Sequence, residues 1–213
     1  MNTKESIYKA YDDAADEYAK AYWNEIERKN LDCLILKWLC DQVLVEDVIL
    51  EIGSGPGEVT GYLAKYHSNC IGTDQSKQMI LQAKKYFPSA NFQVQDFYEL
   101  SYEDNNFAAV VAFYAIVNLT TDAIERVFKE VKRVLKPKGV FLFTFHLAEE
   151  SPTIDIEKFF NKENSLRFYL YGIDDIKTIV EREGFDIIDI ITRHPYKEEH
   201  PTKRVYFIAK KPI

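Results

Sequence analysis

The chain is poor in the features that would assign it to several large protein classes. Its 213 residues hold three cysteines, Cys33, Cys40 and Cys70. No two form a C-x-x-C pair, and an odd number does not build a disulfide framework. Cys33 and Cys40 stand seven apart, on one face if that segment is helical, which reads as buried thiols rather than ligands, and no metal is expected. Positive charge is also short: 27 Lys and Arg against 34 Asp and Glu leave a formal net charge of −7. Neither that balance nor any run of Lys and Arg gives a phosphate backbone a footing, so nucleic acid is not an expected partner. The longest apolar run, Phe107 to Val117, is too short to span a bilayer, and the amino terminus is polar, with Lys4 and Glu5 early. Internal repeats and low-complexity segments are absent. What remains is the expectation of a cytoplasmic protein without a membrane partner, a monomer or homodimer, whose 46% hydrophobic content suffices for one substantial core.

Periodicity then supplies an element plan. Residues 5 to 22 and Ile26 to Gln42 read as two helices, the second with an apolar stripe of Leu31, Leu34, Ile35, Trp38 and Leu39. From Val48 onward short apolar runs and helical segments alternate. Strands are expected at Val48 to Ile52, Cys70 to Thr73, Phe92 to Gln95, Ala108 to Tyr114 and Val140 to His146. Helices are expected at Glu58 to His67, Ser76 to Phe87 and Thr121 to Leu135. Thr121 or Asp122 is the expected cap of the last helix, with Pro137 and Gly139 marking its end. Such βαβ repetition implies a parallel sheet covered by helices on both faces. An irregular stretch from Ala148 to Gly172 follows, then a helix Ile173 to Glu183 and strands Phe185 to Thr192 and Arg204 to Ala209. The link between those two strands is too short for a crossover helix, so they should pair antiparallel. The plan gives one domain: an N-terminal helical cap over 1–46, a core over 47–147, a lid over 148–172 and a C-terminal helix and β-hairpin over 173–213.

The most telling stretch is Glu51-Ile52-Gly53-Ser54-Gly55-Pro56-Gly57-Glu58, where a strand meets three glycines at alternate positions before a helix begins. Backbone without Cβ atoms lets a nucleotide-like ligand lie flat against the loop, although a glycine-rich turn with no ligand would read the same way. Two acidic residues end the next strands. Asp74 can accept both hydroxyls of a ribose, and Asp96 can accept from an adenine amine, with Phe97 offering the ring an apolar surface. Glu51 can hold an ammonium. A solvated strand end or a helix cap is the plainer role for either aspartate.

These segments resemble, in order and spacing, the motifs of class I S-adenosylmethionine-dependent methyltransferases. The glycine loop resembles the first motif, Gly72-Thr73-Asp74 the second, Val94-Gln95-Asp96-Phe97 the third, and Val134-Leu135-Lys136-Pro137-Lys138-Gly139 the turn before the fifth strand. The likeness runs from about Tyr8 to Lys211. It implies an α/β three-layer sandwich, a Rossmann-like seven-stranded sheet with the last strand antiparallel, preceded by two N-terminal helices. The implied cofactor is S-adenosyl-L-methionine, with S-adenosyl-L-homocysteine as product. Its implied binding residues are Tyr11, Tyr18, Glu51, Gly53, Ser54, Gly55, Gly57, Asp74, Gln75, Met79, Asp96, Phe97, Phe113 and Tyr114. An NAD(P)-binding oxidoreductase shares the loop and the acidic strand end, but the sixth position of its fingerprint is here Glu58, a carboxylate that would oppose a pyrophosphate at a helix N-terminus. A sulfonium and an ammonium tolerate acidic neighbours.

Methyl transfer needs an aligned nucleophile and exclusion of water, with a general base only for a weakly acidic acceptor. Many resembling enzymes carry histidine where this chain has Val117 and Asn118, and the Asn/Asp-Pro-Pro-Tyr type motif of nucleic-acid amine methylation is absent. Both point to a small-molecule acceptor, and the first leaves a non-catalytic cofactor-binding protein as a further alternative. Asn118 and His146 are the remaining catalytic candidates, His146 being equally readable as a histidine bonded to backbone. Tyr11 and Tyr18, on a tyrosine-rich first helix, could cover the donor or simply pack as core. The aromatic stretch Ile154 to Tyr171 reads as a lid favouring an apolar or ring-bearing acceptor.

Overall fold

The computed structural model describes residues 2–149 and 152–213. Helix α1 (Lys4–Tyr22) starts on a capping box in which Thr3 and Ser6 satisfy each other's backbone N–H groups. Its buried Ala10, Ala14, Ala15 and Ala19 present a small-residue face. The expected second helix is split into a 3-10 turn at Ile26–Arg28 and α2 (Asn30–Asp41). The break falls at Lys29, whose backbone leaves the helical region (φ −110°, ψ 85°). Its buried ammonium pairs with Glu25 at 3.1 Å and with Glu199 at 3.2 Å, and the second partner lies too far along the chain for periodicity to show.

The core then alternates as expected: β1 (Ile49–Ile52), α3 (Glu58–Leu63), β2 (Cys70–Asp74), α4 (Lys77–Tyr86), β3 (Asn91–Val94), β4 (Phe107–Ala112), α5 (Thr121–Val134) and β5 (Leu135–His146). The N-cap position of α5 is Thr120 rather than Thr121 or Asp122, and it makes no side-chain cap bond. Pro137 and Gly139 lie within the first residues of β5, which begins as the helix ends. The Ala148 to Gly172 stretch is not irregular. It holds an antiparallel pair, β6 (Thr153–Ile156) and β7 (Leu166–Tyr169), whose alternation is masked by interleaved charges. Helix α6 (Ile173–Arg182), β8 (Asp186–Arg193) and β9 (Arg204–Lys210) complete the chain.

Seven strands form one sheet in the order β3-β2-β1-β4-β5-β9-β8. The first five run parallel, and β9 pairs antiparallel with both β5 and β8. Because β1 is buried along its whole length, both faces must be covered. One face packs Phe128 of α5 and Ile176 and Val180 of α6 against Phe141, Phe143 and Phe207. The other packs Ile35, Leu36 and Leu39 of α2 against Val111, Leu142 and Tyr206. Helix α1 and the β6–β7 hairpin lie outside this sandwich and meet each other through Ala10, Ala14, Phe159 and Leu166. They close over the carboxyl ends of β1, β2 and β4, where open α/β sheets place their ligands.

Candidate functional site

A cavity of about 120 Å³ lies at those strand ends. Among the residues expected to bind the cofactor, Tyr11, Tyr18, Glu51, Gly53, Ser54, Gly55, Asp74, Gln75, Phe97, Phe113 and Tyr114 all line it, as does Asn118. Gly55 sits at φ +51°, and a Cβ there would meet nothing nearer than the Tyr18 ring at 4.0 Å, so bare backbone faces the cavity.

Gly57, Met79, Asp96 and His146 are not among the lining residues. Gly57 is required for packing: at φ +88° it lets α3 approach Phe92 and Ala83, which a Cβ would strike at 2.6 and 2.9 Å. Met79 is fully buried beneath the first turn of α4. The Asp96 carboxylate is instead held by the Lys4 ammonium and accepts the Tyr98 N–H at 3.1 Å. Its neighbour Phe97 is what reaches the cavity. His146 hydrogen-bonds Thr202 Oγ1 through Nδ1 at 2.7 Å, and burial, Arg204 and His200 push its pKa down to about 3. Outside the lining and so weakly basic, His146 is not placed as the general base.

The electrostatics of the cavity are acidic. Asp74 accepts N–H bonds from Gly55 at 2.9 Å and Ser76 at 2.8 Å, which fix its carboxylate at the end of β2. Burial raises its pKa against those bonds. Glu51 accepts from the Thr60 hydroxyl, yet burial pushes it up to about 8. Glu25 and Glu58 also line the cavity. Burial, then the neighbouring Glu25 and Glu51, holds Glu58 well above the ordinary carboxylate range. Glu58 Oε2, Ser54 Oγ and the Tyr114 hydroxyl are shut from solvent with no hydrogen-bond partner among the described residues. Buried polar atoms are normally satisfied, so this set marks the places where a ligand's own donors and charges belong. A nucleoside carrying a sulfonium and an ammonium suits this acidic donor set, and no phosphate would have to be seated beside Glu58.

Asn118 joins α1 to the β6–β7 hairpin. Asn118 Oδ1 accepts the Tyr11 hydroxyl at 2.8 Å, while its Nδ2 donates to the Arg167 carbonyl in β7 at 3.0 Å. Asn2 donates to the Asn118 carbonyl at 3.1 Å and to that of Arg167 at 2.7 Å. The lid aromatics Phe159 and Phe160 pack on Tyr11 and Tyr18 and do not line the cavity. Glu25, Ile26 and Ala115 are lining residues that carry no motif, and only the fold brings them there. Glu58 is visible in the sequence as a carboxylate in the first helical turn. Among the described residues no group of three or more His, Cys, Asp or Glu could hold a metal ion, and no helix is long and apolar enough to cross a membrane.

Comparison with known proteins agrees with this geometry. The family model described as Methyltransferase domain matches residues 49–139. The chain is 32% identical over 127 residues to an uncharacterized methyltransferase, YcgJ, of Bacillus subtilis, covering 57% of this chain and 49% of that protein. It is 33% identical over 126 residues to the ubiquinone/menaquinone biosynthesis C-methyltransferase UbiE of Rickettsia akari, covering 53% and 50%. The chain thus spans about half the length of these curated relatives. Among solved structures, a DhpI complex with S-adenosylhomocysteine superposes with a TM-score of 0.73 over 98% of this chain and 97% of that one, at 18% identity.

Proposed function

From a chain whose residues 49–139 match a methyltransferase domain, we propose a class I, S-adenosylmethionine-dependent enzyme that moves the donor's methyl group to a small molecule in the cytoplasm, as a monomer or homodimer without nucleic-acid or membrane partners. The observation that carries this reading is the pairing of a bare glycine loop with an acidic cavity. Gly55 offers open backbone at the end of β1, and Asp74, Glu51 and Glu58 surround it with carboxylates. That suits a cationic nucleoside and disfavours a dinucleotide. When bound, the donor supplies an electrophilic methyl group on sulfur. The protein's own residues hold and align: Asp74 and Phe97 the nucleoside, Glu51 the ammonium, and Tyr11 and Tyr18 the cover that excludes water. In this division residues 1–46 and 148–172 act as cover and 47–147 as donor seat.

A small acceptor is supported by the net negative charge and by relatives such as the quinone C-methyltransferase. The test is incubation with methyl-labelled donor and a metabolite extract. Label is expected in the low-mass fraction. Label confined to protein or nucleic acid contradicts the small-molecule reading, and tight donor binding without any transfer favours a non-catalytic binding protein.

A further inference from the structure

Resting on the methyltransferase reading, we propose that the acceptor is an amine, and that Glu58 is the residue that receives its charge and its proton. The sheet order separates the cavity into two ends. Asp74 and Phe97 lie beyond β2 and β3, while Phe113 and Tyr114 lie beyond β4, on the far side of the glycine loop. With the nucleoside on Asp74, the reacting end faces Phe113, Tyr114, Glu25 and Glu58.

A charge balance at that end singles out Glu58. Three buried cations stand behind it, Lys29, Arg193 and Arg204. Lys29 is matched by Glu25 at 3.1 Å, Arg193 by Glu199 at 2.6 Å and by Asp32 at 3.2 Å, and Arg204 by Glu199 at 3.6 Å. Those three cations therefore meet three carboxylates. Glu58 makes no ion pair among the described residues, and its Oε2 is closed to solvent without a partner. Beside it Ser54, only 2% exposed, also keeps a partnerless hydroxyl in the cavity lining. A buried carboxylate without a counter-charge is costly unless it is protonated or a ligand brings the cation. The Tyr18 and Tyr114 rings on the same lining suit a cation further.

The donor's sulfonium is the competing cation, and the direction of the reaction argues against it. Positive charge leaves sulfur during transfer, so a carboxylate set against the sulfonium would favour the ground state and slow the step. An acceptor ammonium instead pairs with the carboxylate on binding and hands it a proton before transfer, so Glu58 is neutral while charge leaves sulfur. The acceptor arrives as an ammonium and gives one N–H proton to Glu58 Oε2. The freed nitrogen lone pair then forms the new N–C bond, the S–CH3 bond breaks with its electrons left on sulfur as a neutral thioether, and the product leaves as a methylated ammonium. The raised proton affinity of Glu58, set by burial with Glu25 and Glu51 opposite and opposed by Lys29, suits that proton transfer.

The test uses the full chain saturated with S-adenosylhomocysteine, titrated calorimetrically with benzylamine and with benzyl alcohol. Benzylamine is expected to bind the wild-type complex, and the Glu58→Gln complex at least about tenfold more weakly, with Glu58→Asp restoring part of the loss. Affinity for S-adenosylhomocysteine should stay within about threefold of wild type in both variants, which also shows that they fold. Benzyl alcohol binding as tightly as benzylamine, or amine binding indifferent to Glu58→Gln, overturns the proposal. So does a Glu58→Gln variant that loses affinity for S-adenosylmethionine but not for S-adenosylhomocysteine, since Glu58 would then serve the sulfonium. Failure of the wild type to bind S-adenosylhomocysteine at all is the distinct result that overturns the methyltransferase reading on which the proposal stands.

Discussion

Glu51, buried, and Asp74, half-buried, are carboxylates at strand ends, and their surroundings make them behave differently. Asp74 is gripped by two backbone N–H groups, so its position is set before any ligand arrives. Replacing it with alanine removes the acceptor proposed for the ribose hydroxyls, and the loss of affinity for S-adenosylhomocysteine by calorimetry should be about 1–3 kcal/mol. Unchanged affinity would take Asp74 out of that role. Glu51 has one hydroxyl partner, and burial raises its pKa from 4.5 to about 8. A folded-state pKa above the unfolded value means that the folded protein holds the proton longer. Stability attributable to Glu51 is therefore intact below pH 4.5 and declines as pH rises toward about 8. Melting of the ligand-free protein across that window should show a decline that Glu51→Gln flattens. A ligand ammonium set against Glu51 reverses the effect, so binding near neutral pH should release a proton, seen as a buffer-dependent calorimetric enthalpy.

At the scale of elements, the site depends on parts distant in sequence that are joined by a few polar contacts. Asn118, in the loop after β4, ties α1 through Tyr11 to β7 through Arg167. Asn118→Ala leaves the Tyr11 hydroxyl and the Arg167 carbonyl without these partners, at a cost of about 1–3 kcal/mol. Amide exchange should then quicken in α1 and in the β6–β7 hairpin while the β1–β4–β5 centre stays protected; unchanged exchange in both covers would refute the tie. Tyr11→Phe, which breaks one arm, should have a smaller effect. The hairpin shows where local reading runs out. Ile154, Ile156, Leu166 and Phe168 alternate, but Asp155, Glu157, Arg167 and the charged turn between them resemble a polar loop, and only pairing across the turn makes them strands. The β8–β9 connection misleads in the same way. It reads as a charged surface loop, yet Glu199 is held down to about 2 because, against its burial, Arg193, the Tyr196 N–H, Lys29 and Arg204 favour its ionised form.

For the molecule as a whole, the architecture was legible because the central strands β1, β4, β9 and most of β5 are apolar runs buried almost throughout, and the helices between the strands carry apolar stripes. Parallel crossovers and one short final link account for the strand directions, while the order β3-β2-β1-β4-β5-β9-β8, with β9 between β5 and β8, is set by the fold. The donor side of the cavity was legible for the same reason: Glu51, Gly55 and Asp74 are fixed by their place at strand ends. The acceptor side was not. Glu25 reaches it from the turn that Lys29 interrupts and His146 turns toward Thr202, while on the donor side Asp96 turns to Lys4, all through contacts between distant residues. The most direct measurement of the central claim is calorimetric titration of the protein with S-adenosylhomocysteine and, separately, with NADH. Saturable binding of S-adenosylhomocysteine at one site with none for NADH is the expected result, and saturable NADH binding without S-adenosylhomocysteine binding would contradict it.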